Sequence, residues 1–464
     1  MANIAHADLI LEHLGACGLP NESLHAVRAS LLQRQSAAPS TEHMQTRLEA
    51  VLEHALHGKL EVKVRSLSGD ILAAVPATTG CKVSELKRVV EEKTSVACRQ
   101  QMLVRGGAVI DDADTVASIG LGPFDAELSC VIVPADLYAI GGHDSEEPLR
   151  SVEKLDMRTK TWSWAPPMLL ARHGFVATTV GNRIYVIGGA GEGYGSGEVF
   201  DPVEGEWSLL PPMQTPRRNF EMATIDRHLF VIGGYDGEIL ANGEVLDTES
   251  RQWSALPPMT SPRCDFGLAC VNKKIYAMGG FDGNELVGSM EVLTSHTAAE
   301  WRRLPSMVEP RCYFTAAAIG TNVYAVGGQG LAGETRTLRD GEVFDTIREM
   351  WSSLPVMGVP RRYSASSVVN GKLYLLGGRN GTEFLTSCEV FDPEERRWRM
   401  LPEMAFPRRG CTHTTLGNGV YMLGGRDSTL APIASAQAYD TSTSSWIDLP
   451  DMLVSRRGFA AAVA

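Results

Sequence analysis

The chain has 464 residues, 44% of them hydrophobic, enough for two or three domains with ordinary buried cores. Its formal net charge of −12 weighs against general nucleic-acid binding and leaves room only for a local basic patch. No apolar run is long enough to span a membrane, the opening MANIAHADLILEHLGACG lacks the basic start and apolar centre of a secretory signal, and nine scattered cysteines without a CxxC fit a reducing cytosolic or nuclear compartment.

Residues 1–58 read as a short helical segment with no assigned role. Leu24, Val27 and Leu31 recur at helical spacing, as do Met44, Leu48, Val51 and Ala55, with a break at Ser36 to Ser40. His54 and His57 lie three apart without a third ligand, so they read as a solvated helix face and not as a metal site.

Residues 59–134 form a second unit. Leu60 to Ser66 alternates apolar and polar residues, Leu67-Ser68-Gly69 turns the chain, and Asp70 to Val75 returns. Val83, Leu86, Val89 and Val90 mark one helix face, Met102 to Val104 a strand, Gly106-Gly107 a turn and Leu128 to Val133 a last strand. This order, with Leu67-Ser68-Gly69, Gln100 to Val104, Gly107 and Ile110-Asp111-Asp112, resembles the ubiquitin-like β-grasp fold. The resemblance implies a docking face at Leu67, Val104 and Val131 for a receptor of the ubiquitin pathway. It does not imply a conjugated modifier: Val133 leads through Pro134-Ala135 into the next unit with no terminal Arg-Gly-Gly, and Ala108 stands where ubiquitin carries its main chain-linking lysine.

Residues 135–464 are repetitive. Glycine pairs begin at Gly141, Gly188, Gly233, Gly279, Gly327, Gly377 and Gly424, in steps of 47, 45, 46, 48, 50 and 47. Each pair is followed by a tryptophan (Trp162, Trp207, Trp253, Trp301, Trp351, Trp398, Trp446), then a methionine, then an arginine. A period of about 47 marks a repeat array. Each copy holds four short strands. The apolar run before the glycines fits a strand buried on both faces, and the pair itself accepts positive φ. The tryptophan is large enough to fill the gap between one sheet and the next. Seven sheets arranged radially bury faces that one sheet cannot.

The array resembles kelch repeats, and the fold it implies is mainly β: a seven-bladed kelch β-propeller preceded by the ubiquitin-like domain. Arg456 to Val463 repeats the inner-strand sequence and then stops. It could close the ring by pairing with Leu137 to Ile140. Leu128 to Val133 competes for that place, but the ubiquitin-like unit needs it as its last strand.

No motif for a nucleophile, metal or phosphate cradle stands out, so the chain is read as non-enzymatic, without cofactor. Gly189 to Gly197 is glycine-rich but opens no helix. The kelch resemblance puts two residues of each repeat at the central mouth: the one after the first arginine and the one after the glycine pair. These positions supply His143, His173, Arg218, Tyr235, Phe281, Arg362, Arg379, Arg409, Arg426 and Arg457. A basic arc from blades six, seven and one, facing aromatics, suits an acidic or phosphorylated protein segment. The first arginines, which recur in every blade, read as structural. The functional expectation is an interaction adaptor linked to the ubiquitin pathway, with no nucleic-acid or membrane partner. An actin-associated scaffold is the alternative, and a kelch-type enzyme comes third.

Overall fold

The computed structural model describes residues 59–66, 71–78, 80–94, 101–105, 108–110, 114–119, 121, 126–132, 135–331 and 336–464. The helical segment expected before residue 59 and Leu67 lie outside them. The chain divides into two compact units, Met1–Pro134 and Ala135–Ala464.

In the first unit, β1 (Lys59–Arg65), β2 (Ile71–Thr78), β3 (Gln101–Arg105), β4 (Ala108–Val109) and β5 (Glu127–Ile132) form one mixed sheet, and α1 (Val83–Thr94) joins β2 to β3. The strand order is β2-β1-β5-β3-β4, with β1 and β5 parallel. Val83, Leu86 and Val90 recur at helical spacing on α1 and are fully buried with Val62, Val64 and Leu103 of the sheet. The Gln101 amide donates to the Lys87 carbonyl at 2.9 Å, tying β3 to the helix.

Among the described residues the second unit contains seven four-stranded antiparallel sheets. Their innermost strands adjoin one another in a closed cycle, which makes the unit a seven-bladed β-propeller. Blade one is assembled from both ends of this unit. The C-terminal strand Ala460–Val463 pairs with β6 (Leu137–Ile140), which continues into β7 (Val152–Asp156) and β8 (Thr161–Ala165). β5, the competitor for that inner place, is held between β1 and β3 of the first unit.

Each recurrent residue has an identifiable job. The first glycine of every pair adopts φ of 52–67° and the second φ of 93–98°, so an L-residue would be strained there. Space forbids one as well: a Cβ on Gly142 would lie 2.6 Å from the Phe459 Cβ. Each tryptophan indole N–H donates to a proline carbonyl at the end of the preceding blade, at 2.8–2.9 Å, from Trp162 to Pro450 through Trp446 to Pro402. The tryptophan thus fills the inter-blade gap and also bonds across it.

The first arginines (Arg172, Arg217, Arg263, Arg311, Arg361, Arg408, Arg456) are no more than 1% exposed. Each guanidinium donates to the carbonyl of the first glycine of its pair at 2.8–3.4 Å. In six blades it also meets a third-strand glutamate (Glu198, Glu244, Glu291, Glu342, Glu389 or Glu153) at 2.5–3.2 Å. That glutamate accepts backbone N–H groups of the incoming loop, such as Leu169 and Leu170 on Glu198. A buried charge is tolerated because its partners replace the lost water.

Blade seven departs from this pattern. Gln437 stands in the glutamate position, 3.4 Å from Arg408, and turns its amide N–H to Asp448 at 2.8 Å. Burial lowers the proton affinity of Arg408, opposed by the charges of Cys411 and Asp451 in place of a hydrogen-bonded glutamate. The double substitution Gln437→Glu with Asp448→Ser restores the arrangement of the other blades. It is expected to stabilise the protein by about 1–2 kcal/mol, while Glu291→Gln costs a similar amount or more. Denaturant unfolding near neutral pH checks both, and a double variant no more stable than wild type would show that blade seven does not need the carboxylate.

Candidate functional site

One end of the ring carries every loop that enters an innermost strand and every loop that leaves a glycine pair. The two positions expected at the mouth pair with each other through the backbone around this end. His143 bridges to Arg457, Arg218 to Tyr235, Cys264 to Phe281, Cys312 to Gln329, Arg362 to Arg379 and Arg409 to Arg426, with Ala190 opposite His173. Arg409 and Arg426, for example, exchange N–H···O bonds of 3.0 and 2.9 Å. The first of each pair is held at the mouth because the residue before it is a buried arginine that fixes the loop, and the second because it follows the glycine pair.

The side chains do not form one even arc. Arg218 lies over the Tyr235 ring at 5.1 Å, on the blade-three side. Arg362 is buried, donates to the Gln329 side-chain carbonyl and lies 5.9 Å from the Tyr363 ring. Arg379 lies 5.9 Å from Phe384. Arg409, Arg426 and Arg457, from blades seven and one, have no ion-pair partner among the described residues. Burial, then the Arg457 and Arg409 charges, lowers the proton affinity of Arg426, so the three cations share one locality. His143 and His173 meet edge to face at 5.4 Å beside them. Burial, then His143 and Arg457, lowers the proton affinity of His173 and favours its neutral form. Phe281 stays opposite Cys264 in blade four.

The opposite side differs from the aromatic wall expected there, because it also carries acid. Burial, reinforced by Asp265, pushes the Glu221 carboxyl up to about 7. Burial likewise raises Asp265, against hydrogen bonds from Tyr313 and Cys264 that lower it. The Tyr313 and Tyr363 rings stand 4.3 Å apart. Burial and Asp265 hold the Cys264 and Cys312 thiols at about 12, so both are protonated near neutral pH. The mouth is therefore uneven: arginines with no ion-pair partner among the described residues gather on blades seven and one beside His143 and His173, while acids and tyrosines stand on blades three to six among the engaged Arg218, Arg362 and Arg379.

Sequence reasoning missed the residue two beyond each first arginine: Gly174, Asn219, Asp265, Tyr313, Tyr363, Gly410 and Gly458. All take φ of 51–62°. Backbone bonds link several across blades, with Gly174 N donating to Gly458 O at 2.7 Å and Tyr363 N to Tyr313 O at 3.1 Å. Their repeat spacing is in the sequence, but only three are glycine, so the left-handed conformation left no uniform mark.

In the first unit, β3 and β5 are neighbours, and they carry Val104 and Val131. Among the described residues no group of three or more His, Cys, Asp or Glu is arranged to hold a metal.

Seven blades in a closed cycle, with charged side chains at one end, define a β-propeller. The chain matches the KLHDC2/KLHL20/DRC7 Kelch-repeats domain over residues 122–280, 219–425 and 314–464. It belongs to the kelch-repeat family. It is 35% identical over 132 residues to a putative F-box/kelch-repeat protein of Arabidopsis thaliana, covering 27% of this chain and 36% of that protein. It is 42% identical over 73 residues to a second Arabidopsis F-box/kelch-repeat protein, covering 15% and 27%. With Kelch-like protein 35 of Mus musculus it shares 32% over 127 residues, covering 24% and 22%. The matches thus span about a third or less of these relatives' lengths. The solved structure of YjhT superposes with a TM-score of 0.51 at 12% identity, over 62% of this chain and 99% of that one, a likeness of fold.

The Glu221 environment sets a pH dependence. The folded protein holds a proton on Glu221 that the unfolded chain releases near 4.5, so this stabilising term is full at low pH and fades as pH rises toward about 7. Glu221→Gln is expected to match wild type near pH 5 and exceed it by about 1–3 kcal/mol near pH 8. Denaturant midpoints at the two pH values check this. A constant difference would place the carboxyl in ordinary solvent.

Proposed function

We propose that the chain is a non-enzymatic interaction adaptor whose propeller mouth binds an acidic or phosphorylated segment of a protein partner. The observation that carries this reading is the meeting of Arg409, Arg426 and Arg457 without a carboxylate partner among the described residues. Structural arginines elsewhere in the ring are supplied with a glutamate or a carbonyl. These three are left with mutual repulsion, which an incoming anion relieves. The concave mouth concentrates their field on a protein that is otherwise acidic.

The first unit is read as a ubiquitin-like domain that docks the complex to ubiquitin-pathway machinery through the face around Leu67, Val104 and Val131. Its strand order, with a parallel central pair and one crossing helix, supports this reading. The F-box in the names of the Arabidopsis relatives supports the same pathway by analogy. A cytosolic or nuclear setting accords with free thiols at Cys81, Cys264, Cys270, Cys312, Cys388 and Cys411. Among the described residues no helix is long and apolar enough to cross a membrane.

Affinity capture from lysate, with the full chain as bait, tests both parts. Arg409→Gln, Arg426→Gln and Arg457→Gln together are expected to remove a set of partners while circular dichroism stays that of wild type. Val104→Glu with Val131→Glu is expected to remove ubiquitin-pathway receptors and leave the mouth-dependent set in place. An identical partner list for the triple variant would sink the mouth reading.

A further inference from the structure

The loops at the mouth divide the ring by size. At the left-handed position two beyond the first arginine, blades three to six carry Asn219, Asp265, Tyr313 and Tyr363, while blades seven, one and two carry Gly410, Gly458 and Gly174. The backbone does not demand glycine there, since Asn219 (φ 52°) and Tyr363 (φ 54°) adopt the same conformation as Gly410 (φ 58°). Omitting the side chain leaves room instead. A Cβ on Gly174 or Gly410 would meet nothing within 4 Å, and one on Gly458 would meet only the Gly174 nitrogen at 3.6 Å. The notch so formed adjoins Arg409, Arg426, Arg457 and His173.

We propose that this glycine-floored notch is a phosphomonoester site, taking the phosphorylated serine or threonine side chain of an extended partner segment. The inference rests on the mouth reading above and narrows it to one ligand chemistry. Three guanidinium forks present more donors than the two oxygens of a planar carboxylate can accept. A phosphoryl group offers three terminal oxygens in a tetrahedral array and close to two negative charges, so it can accept from all three forks at once. The notch admits the branched group because no side chain stands in it. Across the ring Arg218 and Arg362 are already engaged, by the Tyr235 ring and the Gln329 amide, so the phosphoryl group has one favoured end of the mouth and the partner chain one direction of entry.

The test uses the full-length protein and fluorescein-labelled peptide pools read by anisotropy. One pool fixes a central phosphoserine in an acid-free degenerate surround. Matched pools fix serine, glutamate or a pair of glutamates, and inorganic phosphate serves as competitor. The phosphoserine pool is expected to bind about tenfold tighter or more than the glutamate pools and to be displaced by phosphate. Arg426→Gln and Gly410→Asn are each expected to abolish that advantage. Gly410→Asn copies the residue that blade three already holds in this conformation, so its fold is expected to survive, and circular dichroism checks it. Glutamate pools that bind as tightly as phosphoserine, with the same dependence on Arg426, would overturn the phosphomonoester inference and leave the acidic-segment reading standing. Binding of no pool in an Arg426-dependent way would overturn both.

Discussion

The propeller depends on a charge buried seven times over. Each first arginine sits in the loop that enters a blade, inside the protein, where an unpartnered guanidinium would cost several kcal/mol. The chain meets that cost with a fixed set of acceptors: the carbonyl of the glycine pair, the carbonyl before the third strand and, in six blades, a glutamate. Because these acceptors come from three parts of the same blade, the arginine sets their mutual distance. The glutamate also accepts from backbone N–H groups of the loop that enters the blade and so orders that loop. The recurring Met…Arg pair in the sequence is the trace of this network.

Function follows from the adjacent residue. With one arginine held inside, the next residue is carried to the mouth on a loop that has little freedom left. Evolution of the site can therefore proceed at the second and third positions while the first stays fixed. In this chain the second position gives arginine on blades three, six, seven and one, histidine on blade two and cysteine on blades four and five. The third position gives glycine beside Arg409, Arg457 and His173 and larger side chains on the other four blades. One rigid scaffold thus yields a mouth of uneven charge and two depths.

Much of this was legible before any coordinates. The glycine, tryptophan and arginine spacing announced blade number and strand pattern, because each residue answers a local steric or packing demand repeated at a fixed period. The mouth positions were legible as positions. Their contacts were not, since they join different blades: Tyr313 meets Asp265 from the preceding repeat, and Arg362 reaches Gln329 across a blade boundary. Nor does sequence show which of several exposed-looking arginines finds a partner. Arg362 was grouped with Arg409 and Arg457, yet it is occupied by an amide while they meet no carboxylate among the described residues. The acid at Glu221 was missed for a related reason: it lies within an inner strand whose facing neighbour comes from the next repeat.

Closure of the ring by the last strand has a consequence for biosynthesis. Gly141 and Arg456 meet 315 positions apart in the chain. At about 5–20 residues per second, the ribosome takes roughly a quarter of a minute to a minute to travel that distance. Throughout that interval β6 presents a bare edge, and Glu153 of β7 awaits the guanidinium that will neutralise it. Six blades can be made in order, each leaning on the one before. The first to begin is the last to be finished, and a nascent chain must be kept from pairing that edge with a neighbour until its own end arrives.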